Sequence, residues 1–184
     1  MQEKPSETMV EKKKNFVFDW VDALVNALVF VILIFTLGVR VTGVVGGSME
    51  PTLHQGDKLI VSNLFYTPKA GDIVIVSKKT FSDEPIVKRI IATENQTVDI
   101  NFVTGVVSVD GVPLDEPYIK APIHSPGDVV FPVTVPEGHV FLLGDNRNGS
   151  TDSRTTQVGM VDEREILGKV ILRILPLNGF GAVK

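Results

Sequence analysis

The stretch that decides the fold is residues 72–91, DIVIVSKKTFSDEPIVKRII, near the middle of a chain of 184 residues. It holds two short apolar runs rich in valine and isoleucine, and the polar segment between them ends at Pro85. Short β-branched runs bounded by turn residues are typical of strands. The stretch therefore predicts two β-strands joined by a loop.

The same alternation of apolar runs and turn residues continues on both sides of these two predicted strands. Further β-branched runs occupy residues 58–62, 97–100, 105–109, 129–131, 139–143 and 167–174, and Gly, Pro, Asn and Asp separate them. Asp110-Gly111 between two valine-rich runs predicts a tight hairpin. No convincing amphipathic helix accompanies these runs. We therefore expect one all-β, mainly antiparallel domain over residues 46–184.

An uncharged run, ALVNALVFVILIFTLGV at residues 23–39, precedes the β-rich part. Its length is near the lower end for a helix that spans a bilayer, so we predict a single transmembrane signal-anchor helix within residues 16–45. Trp20 lies where an interfacial aromatic side chain is expected. A cleavable signal peptide is the alternative, but the run is long for the apolar core of one.

The residues before this run are polar and include a lysine cluster at positions 12–14. We expect residues 1–15 to form a short, poorly ordered tail. Lysine and arginine are enriched on the cytoplasmic side of membrane helices. The pattern therefore predicts a single-pass cell-membrane protein with a cytoplasmic N-terminus and an extracytoplasmic β domain.

The composition excludes several classes of function. The chain has no cysteine, which excludes disulfides, thiol catalysis and cysteine-ligated metal sites. Its formal net charge is −4 and it has no long basic stripe, so nucleic acid is not expected as a partner. No pattern predicts a metal or another cofactor.

Three segments carry candidate chemistry, and the first is GGSMEPTL at residues 46–53. Its two glycines allow unusual backbone angles and the close approach of another chain. Ser48 follows them, so its hydroxyl can be exposed and its N–H can serve an oxyanion. From these residues alone, Ser48 is either a nucleophile or an ordinary serine in a turn that leaves the membrane.

The second segment supplies the base that a serine nucleophile needs. No histidine stands in a pattern that indicates catalysis; the histidines are His54, His124 and His139. In a strand, Lys88 shares a face with Ile86 and Ile90, and an apolar site lowers the pKa of a lysine amine. The charge of Arg89 would lower that pKa further. Lys88 is thus either a general base or a lysine that protects a sheet edge.

The third segment is GDNRNGSTDSR at residues 144–154, directly after an apolar run. It holds two acids, two arginines and two serines, so the loop can close on itself through arginine–carboxylate pairs. Its hydroxyls can serve a neighbouring amine. A calcium loop is the competing interpretation, but the acids lack its regular spacing and closing glutamate, and the arginines oppose a cation.

Together the three segments resemble the motifs of bacterial type I signal peptidases (leader peptidases), in particular the short Gram-positive type. They occur in the order of that family, behind an N-terminal hydrophobic segment. The resemblance implies a membrane-bound serine endopeptidase with a Ser/Lys dyad, which cleaves N-terminal signal peptides from exported preproteins after small residues at Ala-x-Ala type sites. The implied partners are those signal peptides, the lipid bilayer and the protein export machinery.

The resemblance also implies roles for individual residues. Ser48 would be the nucleophile and, through its backbone N–H, an oxyanion donor; Lys88 would be the general base, and Ser150 would orient the lysine amine. Support of the site would fall to acids and arginines of the third segment: Asp145, Arg147, Asp152 and Arg154. The residues implied in the substrate pockets are Val44, Met49, Leu53, Ile86 and Val87.

The sequence departs from the resemblance at one position. Some members place a serine two residues before the nucleophile, where its hydroxyl is a second oxyanion donor, and this chain has Gly46 there. Loss of one oxyanion donor costs about 3 kcal/mol in other proteases. The second donor must then be a backbone group or a water, or be absent.

Two other interpretations stay open from the sequence. A serine–lysine self-cleaving repressor uses the same pair of residue types, although the hydrophobic N-terminal segment, the third segment and the lack of a DNA-binding module oppose it. A non-catalytic, membrane-tethered β domain is the other interpretation. The presence of both Ser48 and Lys88 argues against it.

Overall fold

The computed structural model describes residues 7–36 and 38–183. The chain divides after Gly38 into two units, an N-terminal helical unit and a β unit that begins at Val39. The β unit therefore starts before residue 46, where the sequence places the start of the domain.

The helix α1 spans Glu7–Thr36. It begins inside the predicted tail of residues 1–15, of which residues 1–6 lie outside the described residues. It ends well before residue 45, because Gly38 has a positive φ of 104° and the β-branched residues after it form a strand. Among the described residues, no helix combines the length and the apolar character that a bilayer span needs.

The described part of the β unit contains twelve short strands and three 3₁₀ helices. The strands are β1 (Val39–Gly43), β2 (Lys58–Ser62), β3 (Ile73–Val76), β4 (Ile86–Thr93), β5 (Thr97–Asn101), β6 (Val106–Val109), β7 (Val112–Pro113), β8 (Val133–Thr134), β9 (His139–Leu143), β10 (Val161–Asp162), β11 (Ile166–Leu175) and β12 (Gly181–Ala182). The 3₁₀ helices are Arg147–Gly149, Glu163–Glu165 and Leu177–Gly179. This content confirms the prediction of a β-rich domain.

The strands form two sheets, and each described strand pair is antiparallel, as predicted. The order in the larger sheet is β1-β2-β11-β3-β4-β9-β10, and β12 pairs with β11. The order in the smaller sheet is β7-β6-β5-β8. Asp110 and Gly111 have positive φ values of 51° and 78° in the hairpin between β6 and β7, which confirms the predicted tight turn.

The strand β4 places Lys88 in the interior of the larger sheet, because β3 and β9 flank it. Ile86 and Ile90 pack in one apolar cluster and Val87 packs in another, so side chains alternate between the two faces as predicted. Lys88 is only 3% exposed. The interpretation of Lys88 as a lysine on a sheet edge is therefore wrong.

Candidate active site

Ser48 lies in the turn after β1, where the chain is fixed on both sides. Met49 and Leu53 are 1% and 0% exposed in the core, and the N–H of Leu53 donates to the carbonyl of Met49 at 2.9 Å. Asn146 donates its backbone N–H to the carbonyl of Ser48 and its side-chain amide to the carbonyl of Gly47, both at 3.0 Å. The core and the third segment thus hold Ser48 in place, unlike a serine in a flexible linker.

The side chain of Lys88 meets Ser48 directly. Its Nζ donates to the Oγ of Ser48 at 2.8 Å and to the carbonyl oxygen of Val87 at 3.2 Å. The two residues come from different elements, a turn and an interior strand. The fold thus brings together the pair that the sequence singles out as nucleophile and base.

The surroundings of Lys88 lower the pKa of its amine. Burial is the largest effect and lowers the pKa of the amine from an ordinary value of 10.5 to about 8. The carboxylates of Asp152 and Asp145 raise this pKa, whereas the charge of Arg154 lowers it. The cation that lowers it is therefore Arg154, while the guanidinium of the adjacent Arg89 pairs with Asp145. An amine with this pKa is neutral often enough near neutral pH to act as a base.

Asp152 and Arg154 form the ion pair that the resemblance implies. Arg154 donates from Nε and Nη2 to the two carboxylate oxygens at 2.7 and 2.9 Å, and both side chains are almost fully buried. Nη2 of Arg154 also donates to the carbonyls of Arg147 and Ser150, and Asp152 accepts the N–H of Gly144 at 3.1 Å. The pair therefore closes the third segment into a fixed loop.

Asp145 and Arg147 take their ion-pair partners from outside the third segment, although Nε of Arg147 also donates to the carbonyl of Gly144 at 3.1 Å. Arg89 donates to both carboxylate oxygens of Asp145 at 2.8 and 2.7 Å, and the two side chains are 3% and 0% exposed. Arg147 pairs with Glu116, with one bond from Nη1 at 2.9 Å. Asp152 and Arg154 thus pair with each other within the loop, whereas the ion pairs of Asp145 and Arg147 tie the loop to β4 and to Glu116.

Further residues of this network escape prediction from the sequence. The hydroxyl of Thr52 donates to Asp145, and the ring centroid of Tyr118 lies 3.9 Å from the guanidinium carbon of Arg89. Thr52 lies within the first segment, so its closeness to Ser48 in sequence could have indicated a place near the site. Nothing in the sequence indicated Tyr118 or Glu116, because a local pattern does not reveal partners that are distant along the chain.

Ser150 lies beside the dyad without bonding to it. Its Oγ is buried and has no hydrogen-bond partner among the described residues. A Cβ on Gly144 would lie 2.3 Å from this Oγ and 2.5 Å from the carbonyl oxygen of Ser48, so a side chain there would displace both. The expected bond between Ser150 and Lys88 is not present, because the amine is directed at Ser48 and at the carbonyl of Val87.

A cavity of about 160 Å³ opens beside the dyad. Ser48 and Lys88 line it, together with an apolar wall of Val45, Ile86 and Val87. Of the residues implied in the substrate pockets, Ile86 and Val87 thus lie beside the dyad. Polar groups from the loop between β3 and β4, including Ser82 and Glu84, complete the lining.

The other three residues implied in the substrate pockets do not line this cavity. Val44, Met49 and Leu53 are 4%, 1% and 0% exposed in one core cluster. The turn after β1 directs Val44 into the core, whereas Val45 is 76% exposed and lines the cavity. At this turn the structure thus places Val45, and not Val44, beside the dyad.

The backbone around Ser48 is suited to hold an oxyanion. The N–H of Ser48 donates to no acceptor within the described parts of the chain. Gly46 has a positive φ of 80°, and no atom lies within 4 Å of the position that a Cβ would take there. The N–H of Ser48 is thus available as a donor, and open space adjoins Gly46.

Comparisons with known proteins place this chain in a family. The family described as "Signal peptidase, peptidase S26" matches residues 17–175. The probable signal peptidase I-1 of Synechocystis sp. is 34% identical over 177 residues, which cover 91% of this chain and 87% of that protein. The signal peptidase I of Bacillus licheniformis is 36% identical over 180 residues, covering 90% of this chain and 92% of that protein.

A solved structure is also similar. The crystal structure of a signal peptidase I from Enterococcus faecalis V583 is 25% identical, with a TM-score of 0.43, and the match covers 56% of this chain and 97% of that chain. The family match extends over most of the chain and includes all three segments, which excludes the interpretation as a self-cleaving repressor. The chain belongs to the signal peptidase family, peptidase S26, as a bacterial type I signal peptidase, a serine protease of the hydrolase class.

Proposed function

We propose that this chain cleaves N-terminal signal peptides from exported preproteins after small residues, with Ser48 as nucleophile and Lys88 as general base. The observation that carries the proposal is the 2.8 Å contact between Lys88 Nζ and Ser48 Oγ, made by an amine that is almost fully buried. A serine attacks only when a base accepts its proton. Lys88 is the base within reach of Ser48.

In the first half of the reaction, the neutral amine of Lys88 takes the hydroxyl proton of Ser48 as Oγ bonds to the scissile carbonyl carbon. The resulting oxyanion accepts a hydrogen bond from the N–H of Ser48. The Lys88 ammonium then gives its proton to the leaving amine, and the peptide C–N bond breaks. The signal peptide remains as an ester on Ser48.

In the second half, Lys88 accepts a proton from water, and the resulting hydroxide attacks the ester carbonyl. The oxyanion forms again at the same backbone donor. The bond between the carbonyl carbon and Oγ then breaks, and the Lys88 ammonium returns its proton to Ser48. The signal peptide leaves with a free carboxylate, and the dyad regains its starting state.

The cavity beside the dyad offers an apolar surface to a substrate side chain next to Ser48. Its volume is about 160 Å³, and Val45, Ile86 and Val87 form an apolar wall. The substrate segment before the cut would lie extended beside a strand, with its backbone hydrogen-bonded as an added strand.

We further propose that the N-terminal helix retains the chain in the cell membrane, with a cytoplasmic N-terminus and an extracytoplasmic β unit. The uncharged residues 23–36 of α1 and the lysines at positions 12–14 support this topology. A shared membrane face would raise the local concentration of preproteins near Ser48. The bilayer and the protein export machinery are the partners that follow from this arrangement.

The proposed activity is tested with purified protein and a preprotein that carries an Ala-x-Ala site. We expect cleavage after the second alanine, identified by mass spectrometry of both products, and no measurable cleavage by Ser48→Ala or Lys88→Ala. Ser108→Ala on β6 and Lys79→Ala in the loop before β4 are matched controls that should cleave normally. Normal cleavage by either dyad variant, or none by the wild type, would contradict the proposal.

A further inference from the structure

One carboxylate lines the cavity beside the dyad, and it belongs to Glu84 in the loop between β3 and β4. Glu84 and Lys88 are the two ionisable side chains of this lining. Lys88 accepts the proton of Ser48 only in its neutral form. When the dyad is ready to react, the lining therefore carries the single negative charge of Glu84.

The backbone holds Glu84 in a defined place at the end of this loop. Its N–H donates to Oγ of Ser82 at 3.1 Å, and Pro85 restricts the backbone angles of the residue that precedes it. Phe81 anchors the same loop, because its ring packs against a buried apolar cluster. The position of the carboxylate thus depends mainly on rotation within the Glu84 side chain.

The carboxylate of Glu84 has no ion-pair or hydrogen-bond partner within the part of the chain that the structure describes, and its side chain is exposed. Lys78 of the same loop pairs with Glu165 at 2.7 Å instead. Lys58 approaches the lining at Gly43, with Nζ 3.0 Å from the position that a Cβ would take there. An acid in a cleft that has no partner of its own attracts a ligand of opposite charge.

A substrate residue close to the scissile bond can reach this carboxylate. A space of about 160 Å³ is about 7 Å across, which is about the length of two residues in an extended chain. Ser48 and Glu84 both line the space, so Glu84 lies within about two residues of the bond that Ser48 attacks. Successive side chains of an extended segment point to opposite sides. If the two alanines of an Ala-x-Ala site face the apolar wall, residue x points away from it, toward the exposed carboxylate.

We propose that Glu84 makes the site selective for substrates with a basic side chain at the central residue x of the Ala-x-Ala site. The carboxylate contacts the cation of a lysine or arginine there and repels an aspartate or glutamate. The inference deepens the proposed function and rests on it, because it assigns a substrate preference to the same site. The pair is exposed to solvent, so we expect a modest effect that salt weakens.

The test uses the full chain in detergent and three preproteins that differ only at residue x, which is lysine, glutamine or glutamate. Values of kcat/KM are measured at ionic strengths of about 0.02 M and about 0.5 M. At low ionic strength we expect the wild type to prefer the lysine substrate to the glutamate substrate by about fivefold, with the glutamine substrate between them. At high ionic strength the preference should fall below about twofold. Equal values for the lysine and glutamate substrates at low ionic strength, or a preference for glutamate, would overturn the proposal.

Charge variants show whether the preference comes from Glu84. Glu84→Gln should reduce the ratio between the lysine and glutamate substrates to within about twofold, and Glu84→Lys should invert it. The matched control is Asp83→Asn, which removes the same charge from the neighbouring residue outside the lining and should keep the wild-type ratio. A ratio that persists in Glu84→Gln, or that falls equally in Asp83→Asn, would assign the preference to another group and overturn the role of Glu84.

The three substrates also separate this inference from the proposed function. Cleavage of all three with equal kcat/KM would leave the proposed activity standing and overturn the charge preference alone. Absence of cleavage of every substrate by the wild type would overturn both.

Discussion

Lys88 and Arg89 are adjacent on β4 and almost equally buried, yet their side chains have different partners on the two faces of the strand. Arg89 makes a two-pronged ion pair with Asp145, donates to the carbonyl of Gly71 at 2.9 Å and stacks against Tyr118. Lys88 faces only a hydroxyl and the carbonyl oxygen of its own neighbour at hydrogen-bond distance. The charge of Arg89 is therefore compensated by the carboxylate of Asp145, whereas Lys88 has no directly bonded carboxylate to stabilise its protonated form.

The comparison distinguishes Arg89, a cation held in a structural ion pair, from Lys88, an amine whose pKa is lowered. A buried charge is tolerated when a partner of opposite sign compensates for the lost hydration, as at Arg89. Without a directly bonded carboxylate, burial instead lowers the pKa, as at Lys88. The same degree of burial thus accompanies a fixed ion-pair network on one face of β4 and an amine with a lowered pKa on the other.

The largest effect is expected from Lys88→Met, which keeps a flexible side chain of similar volume and removes the amine. We expect kcat/KM for preprotein cleavage to fall by at least about 10⁴-fold, because Lys88 is the base bonded to Ser48 among the described residues. The melting temperature should stay the same or rise, since a poorly compensated buried amine is removed. A variant that loses activity only because it unfolds would not support the contrast, so both quantities are measured on the same sample.

Arg89→Met should lower the stability, in contrast to Lys88→Met, which should lower the activity. It leaves the carboxylate of Asp145 buried without its partner, and we expect a loss of about 3–5 kcal/mol in the free energy of unfolding. Denaturant unfolding of the wild type and the variant measures it. The double variant Arg89→Met/Asp145→Asn is the control and should recover part of the loss. A cost below about 1 kcal/mol for the single variant would contradict the structural role of the pair.

Lys88 should also make the stability depend on pH in a defined window. The folded-state pKa is about 8 and the ordinary value is 10.5, so between these values the unfolded chain binds a proton that the folded chain does not. Stability therefore rises with pH across this window, by about 3 kcal/mol in total. The difference in unfolding free energy between wild type and Lys88→Met isolates the effect from other groups. A flat difference from pH 8 to 10.5 would contradict a lowered pKa.

The smallest effect is expected from Ser150→Ala. The hydroxyl has no hydrogen-bond partner among the described residues, so its removal should leave the melting temperature unchanged or slightly higher. If Ser150 orients the amine when substrate is bound, kcat falls about tenfold while KM is unchanged. Equal activity in Ser150→Ala and in the control Ser108→Ala would remove Ser150 from the orienting role.

Local pattern was sufficient for most of the strands and for the alternation along β4. Most valine and isoleucine runs became strands, and Asp110-Gly111 became the hairpin turn, because backbone preference and neighbouring side chains decide both. The strand predicted at residues 129–131 was wrong, since that run is irregular and β8 lies at Val133–Thr134 instead. The end of α1 was not predictable in the same way. Val39 belongs to an apolar run that suits a helix, but its pairing with Ser62 draws it into the sheet.

The partners of the site residues were the least predictable part. Asp145 and Arg147 looked like members of one self-contained loop, yet they pair with Arg89 and Glu116 from other parts of the chain. Such pairings depend on the tertiary fold, which no local spacing encodes. The exposure of Val45 beside the dyad, with Val44 buried in the core, was likewise not predictable, since the turn after β1 ends the alternation of the strand.

The central claim is that Lys88 acts as a base because burial lowers its pKa. The most direct test is the pH dependence of kcat/KM for cleavage of a preprotein with an Ala-x-Ala site, since this quantity reports the essential groups of the free enzyme. We predict that it rises with pH as the amine loses its proton, with an apparent pKa of about 8. A rate that is independent of pH through this range, or that rises only near the ordinary lysine value of 10.5, would contradict the account.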